Sequence, residues 1–381
     1  MESKASPSFH PFQTKVASLC ETMKREKLSA LLLYAPGQLS MLEVNPVLWI
    51  SGLLPMGPHT AVLLTAAGAA TLFISLPWDR GRVKERTWIQ DVRVVDRFIE
   101  GVNESTRQKG VQGEVGIVGW AFMPAAIYQG LQGIPSIRPR PMDAILNALA
   151  RSPGPDALGA LKRAGEIADA GFSALLANAR VGMAEYELAA EVEYAMRSRG
   201  SEDNFGMVTA SDHNYCTHPP TDRKLRASDI IIAEITPACE GQFVQLCRTA
   251  VIEPLPPIVR EKFPIVEEAM EKSLNAVRPG NKVGDISRAM NEVFTAHGYA
   301  EYCRPPYIRV RGHGLGFMSL PFSEMTDENQ VVIEEGTDFV VHPNQYLPES
   351  GYLMLGDTVW VEKNGYLRLT QTPMKLFTIK G

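Results

Sequence analysis

The sequence predicts two domains: a small α/β domain over residues 1–150, then a larger α+β domain over 156–381 that carries an internal duplication. Three observations lead there. Short apolar runs alternate with amphipathic stretches up to about residue 145, the pattern of strands interleaved with helices. Arg151-Ser152-Pro153-Gly154-Pro155 then interrupts it, because two prolines within three residues make a continuing helix costly. Beyond this break, long helical stretches at 156–179, 184–199, 257–276 and 284–297 flank strand-rich blocks at 204–252 and from 306 to the end.

In the first domain Phe12, Val16, Leu19 and Met23 recur at helical spacing and define one apolar face. Ala30–Tyr34 is a short strand closed by Pro36-Gly37. Ala61–Leu64 and Ala70–Ile74 read as a hairpin around Ala66-Ala67-Gly68, with further strands at 92–95 and 115–118. In the second domain Arg180-Val181-Gly182, Tyr186 and Gly200 reappear as Arg278-Pro279-Gly280, Gly284 and Gly298, a constant offset of 98 residues. The same helix-start and helix-stop signals in both copies predict a duplicated helix-helix-strand unit with a site between its halves.

Composition narrows the function. The 381 residues are 45% apolar and 21% charged, as in a globular protein with a sizeable core. A net charge of −5 offers no broad positive field for a polyphosphate backbone, so nucleic acid is not expected as a partner. Five cysteines without a CxxC pair encode neither a disulfide framework nor a zinc ribbon, which suits a reducing cytoplasm. No stretch has the length and apolarity of a membrane span or of a secretion signal, and neither is expected.

Four of the seven histidines, 213, 218, 313 and 342, fall in the strand-rich blocks. His313 lies in Gly312-His313-Gly314-Leu315-Gly316, where glycines allow a close approach of backbone or ligand. His218 precedes Pro219-Pro220, and His342 ends the run Phe339-Val340-Val341 ahead of Pro343. Imidazoles at strand ends and in glycine loops suit proton transfer or metal binding.

Taken together with Ser228–Glu234, Cys247-Arg248-Thr249, Glu335-Gly336 and Gly356-Asp357-Thr358-Val359, this arrangement resembles the pita-bread-fold group that contains creatinase, prolidase, aminopeptidase P and methionine aminopeptidase. The resemblance covers nearly the whole chain. It implies a pita-bread second domain with a pseudo-twofold repeat, and a homodimer. In the metallopeptidase members five side chains hold two metal ions, and the matching positions here are Glu234, Gln245, His313, His342 and Gly356. One histidine alone is unchanged, at 313. Paired hard cations want several anionic oxygens, so the resemblance points away from a two-metal Xaa-Pro peptidase and towards the metal-free creatinase branch.

The expectation is accordingly a metal-independent hydrolase acting on a C–N bond of a small molecule, with no cofactor. His218 would be its general acid and base, assisted by the catalytic residues His313 and His342. Glu234, Gln245, Cys247, Phe317, Glu324, Tyr346 and Arg311 would bind the substrate. Creatine itself is not expected, because Met56-Gly57-Pro58-His59 and Pro321-Phe322-Ser323-Glu324 lack the arginines that creatinase uses. Two alternatives stay open: a single iron or manganese ion held by Glu234, His313 and His342, and a catalytically inactive binding scaffold.

Overall fold

The computed structural model describes residues 10–37, 45–54, 56–150, 155–315 and 324–380. They form two compact units, Met1–Ala150 and Arg151–Gly381.

In the first unit the strands are β1 (Ala30–Ala35), β2 (Thr60–Thr65), β3 (Ala70–Ile74), β4 (Asp91–Val94), β5 (Gly113–Val118) and β6 (Ile137–Pro141). They make one mixed sheet in the order β4-β3-β2-β1-β5-β6. The helices are α1 (His10–Glu26), α2 (Pro46–Ser51), α3 (Arg80–Arg86), α4 (Phe98–Gln108), α5 (Ala125–Gln132) and α6 (Asp143–Ala150). Val16, Leu19 and Met23, the face anticipated from their spacing, are buried. The hairpin is also present: Leu64 pairs with Ala70, and Gly68 turns between them at φ 86°, where glycine meets no Cβ penalty.

The second unit opens with α7 (Pro155–Asn178) and α8 (Glu185–Arg197), followed by β7 (Asn204–Ser211), β8 (Ile230–Cys239), β9 (Gln242–Phe243) and β10 (Leu246–Ile252). The second copy begins with α9 (Pro257–Asn275) and α10 (Val283–Ala296), then β11 (Gly312–Gly314), β12 (Asp338–Val341), β13 (Gln345–Leu347), β14 (Gly351–Leu353), β15 (Gly356–Glu362), β16 (Gly365–Arg368) and β17 (Phe377–Ile379). The second helices of the two pairs, α8 and α10, keep the 98-residue offset to within a residue. Gly182 and Gly280 enter the second helix of each pair, and Gly200 and Gly298 leave it, all four in the left-handed region at φ 85–91°. Each second helix starts alike: the Ala184 amide donates to Glu187 at 2.6 Å, and the Lys282 amide to Asp285 at 2.7 Å.

The strands build a curved sheet in the order β11-β12-β15-β10-β8-β7, with β16, β17 and β9 attached at its sides. Helices of the first copy cover Ile231, Ala233 and Ile235 in one core, and those of the second cover Phe339, Val341 and Val359 in another. This is the pita-bread fold. Among the described residues no helix is long and apolar enough to cross a membrane.

Candidate functional site

Residues directly opposed on adjacent strands share a face of a sheet, and so do residues two apart on one strand. Met207 opposes Glu234, Glu234 opposes Cys247, and Cys247 opposes Gly356. His342 completes the row, since a Cβ built on Gly356 would lie 2.6 Å from its Cβ. Two residues along, Thr358 exchanges hydrogen bonds with Gln245 at 2.8 and 3.0 Å and opposes Val340, which opposes His313. The five positions singled out by resemblance therefore lie on one face, although they come from three strands, the residue before β10 and the residue after β12.

The chemistry of this face is neutral and rich in acceptors. Gln245 Nε2 donates to Glu234 Oε1 at 2.6 Å, while Gln245 Oε1 is buried without a partner. Burial pushes the Glu234 carboxyl up to about 7. His313 Nδ1 lies 3.0 Å from the carbonyl of Gly314, so the proton sits there and the lone pair is on Nε2. The His342 ring meets that of His313 edge to face, with centroids 5.4 Å apart. Burial, then the neighbouring His313, pushes His342 down to about 3, and its Nδ1 has no partner. Burial also lowers His313, so both rings are neutral acceptors at physiological pH. The Cys247 thiol, fully buried beside Glu234, is pushed well above its ordinary range.

Gly356 leaves no room for a side chain. The atom 2.6 Å from an added Cβ is itself a Cβ, that of His342, and another, of Cys247, is 3.2 Å away, so no flexible tip can yield. Gly356→Ala is expected to destabilise the protein by roughly 1–3 kcal/mol, as overpacked cores do, measured by urea unfolding.

The remaining anticipated site residues are dispersed. His218 is fixed by its backbone to Thr209, and its Nδ1 turns back to the Pro219 carbonyl at 2.8 Å, with no hydrogen bond to Glu234, His313 or His342. Arg311 is not available to a substrate. It is 2% exposed, donates to Asn291, the Asn344 carbonyl and Gln345, and lies over the Phe294 ring, so its role is structural. Glu324 is exposed and paired with Arg309. Tyr346 stands in a cluster of tyrosines. Phe317, with Pro321-Phe322-Ser323, lies outside the described residues. Sequence reasoning missed Tyr352, whose hydroxyl is pushed up by burial and then by Glu234, and Asp338, buried on the strand that leads to His342. For Tyr352 the signal was its place immediately before the Leu353-Met354-Leu355-Gly356 run.

Residues 159–363, more than half of the chain, match metallopeptidase family M24. The chain belongs to this family. It is 23% identical over 368 residues to an Xaa-Pro dipeptidase of Pyrococcus horikoshii, covering 95% of this chain and 98% of that one. The crystal structure of the prolidase from Pyrococcus horikoshii OT3 superposes with a TM-score of 0.83 at 23% identity, covering 95% and 99% of the two chains. The X-Pro aminopeptidase from Thermotoga maritima MSB8 also gives 0.83, at 20% identity over 96% and 99%.

These relatives overturn the placement in a metal-free creatinase branch. The expectations of a creatinase-like, metal-independent hydrolase with His218 as acid and base, of no cofactor, and of a chain set apart from Xaa-Pro peptidases are corrected accordingly: the similarity runs to Xaa-Pro dipeptidases, in a family of metallopeptidases. The physical reason for the misreading is that it weighed five positions above the rest of the chain.

The donors themselves can be tested against the ions that such a family implies. A pair of hard divalent cations needs several carboxylate oxygens. The face provides one carboxyl group, Glu234, already bonded to Gln245, together with an amide, two imidazoles and a glycine that admits no side chain. Among the described residues no three His, Cys, Asp or Glu side chains are grouped to hold an ion. The set does not fit a metal pair, and Glu234, His313 and His342 do not converge on a single ion either.

Proposed function

We propose that this M24 chain recognises short peptides of the Xaa-Pro type on the Glu234–His342 face, through hydrogen bonds from its own side chains rather than through a metal pair. One observation carries the reading: Gln245 Oε1 is a buried acceptor without a partner, and His342 Nδ1 a buried ring nitrogen without one, on the face that bears Glu234. An orphaned buried acceptor costs about 1–3 kcal/mol, so a ligand that brings N–H donors recovers that amount on binding. A dipeptide's ammonium brings three donors, and Glu234 supplies the one carboxyl group of the face to meet its charge. The names of the relatives, Xaa-Pro dipeptidase and X-Pro aminopeptidase, supply the ligand class. Five free cysteines accord with a reducing cytoplasm, and a homodimer is the expected assembly.

Calorimetric titration with Ala-Pro, without added metal, is expected to show binding, and Gln245→Leu is expected to weaken it about 10–100-fold, the worth of a hydrogen bond to a charged group. Release of proline is followed in parallel. Cleavage of Ala-Pro that rises with added Mn²⁺ or Co²⁺ would overturn the reading.

A further inference from the structure

Tyr215, Tyr346 and Tyr307 form a row of near-parallel rings. Tyr215 and Tyr346 have centroids 5.7 Å apart at 17°, and Tyr346 and Tyr307 are 5.5 Å apart at 15°. The far end is closed, because the edge of Tyr302 meets Tyr307 at 4.7 Å. The near end is open: Tyr215 is 73% exposed, against 41% for Tyr307. Spacings of this size leave no slot for an inserted ring, so a further ring can join only on the outer face of Tyr215.

The row is continuous with the candidate site. His213 Nε2 lies 3.3 Å from the Tyr346 hydroxyl, and the same loop continues through Tyr215 to His218. Tyr346 opposes Tyr352 across the β13–β14 pair, and the Tyr352 hydroxyl is close enough to Glu234 and Cys247 to be shifted by their charges. The Tyr352 amide donates to the Asn214 carbonyl at 2.6 Å, which ties the loop to the strand. Exposed aromatic rings held rigidly beside a buried polar face are the usual build of a specificity surface, since stacking adds about 0.5–1.5 kcal/mol to simple burial.

We infer that Tyr215, backed by Tyr346 and Tyr307, is a stacking platform for an aromatic side chain of the bound ligand. The inference rests on the peptide reading above and deepens it: the residue beside proline is aromatic. Calorimetric titrations of the full chain with Phe-Pro, Ala-Pro and phenylalaninamide test it, in the natural protein and in Tyr215→Ala and Tyr215→Phe. The expected result is that Phe-Pro binds about 10-fold more tightly than Ala-Pro, that Tyr215→Ala reduces the ratio to under about 2, and that Tyr215→Phe preserves it, since the ring and not the hydroxyl stacks. Equal binding of the two dipeptides, or a preference that survives Tyr215→Ala, overturns the platform while leaving the peptide reading in place. Phenylalaninamide binding that depends on Tyr215, with no dipeptide bound, supports the platform and removes the peptide reading. No binding of either ring-bearing probe overturns the platform.

Discussion

Arg248→Met is expected to lower the stability of the second unit by about 3 kcal/mol and to abolish ligand binding at temperatures well below those the natural protein tolerates. Arg248 and Asp357 are both fully buried, 3.0 Å apart. The guanidinium also donates to the carbonyls of Cys247, Gly356, Thr372 and Pro373, so five groups lose a partner at once. Removing one member of a buried pair costs about 3–5 kcal/mol, because the other charge stays buried. Here the lower figure applies, since Arg368 remains 3.0 Å from Asp357 and Thr370 also bonds it. The clamp matters to the site because β10 and β15 pair through two residue pairs alone, Leu246 with Asp357 and Cys247 with Gly356. Arg248 binds the carbonyls of both Cys247 and Gly356 and so fixes the row that carries Glu234 and His342. Urea unfolding followed by circular dichroism measures the loss. Arg248→Lys is expected to rescue little, as an ammonium cannot reproduce a fork that reaches so many acceptors. An Arg248→Met variant as stable as the natural protein would show that the clamp is dispensable.

What the sequence made legible was whatever repeats or is local. The 98-residue offset recurs as two helix pairs whose glycines occupy the same left-handed positions, because the need for a positive φ is written into single residues. The five positions given by resemblance come together on one face, which the sequence alone did not state. What is set by contacts distant in sequence was not legible. Arg311 read as a substrate-binding residue, yet Asn291 and Gln345, 20 and 34 residues away, supply the acceptors that let it be buried. The tyrosine row joins residues 215 and 307, from separate loops, to Tyr346 on β13, and no spacing rule connects them. The branch of the family was misjudged for a different reason. Ligand chemistry at five positions was taken as the measure of relationship, whereas the similarity over 368 residues runs to an Xaa-Pro dipeptidase, within metallopeptidase family M24.

Asp338→Asn is expected to gain stability relative to the natural protein as pH rises, by about 3 kcal/mol between pH 5 and pH 8. Asp338 is 3% exposed, its Oδ2 has no partner, and burial pushes its carboxyl from 3.8 up to about 7. Below the unfolded value both states hold the proton, and Asp338 contributes no pH dependence. Between about 4 and 7 the unfolded chain has released it and the folded protein has not, so each unit of rising pH costs about 1.4 kcal/mol of stability; above 7 the cost is constant. Glu234, also raised to about 7, acts in the same sense. His342 acts in the opposite one: its folded value of about 3 lies below the ordinary 6.5, so over that interval rising pH restores stability. The natural protein's own profile is a sum in which these contributions partly cancel, and only the difference between variant and natural protein isolates Asp338. The amide carries its own burial cost, which is equal at both pH values and drops out of that difference. Asp338 opposes Trp360 on the strand that leads to His342, four residues from it. Urea titrations of both proteins at pH 5 and pH 8 decide the matter, and parallel stabilities at the two values would show that Asp338 ionises in the folded protein as freely as in the unfolded chain.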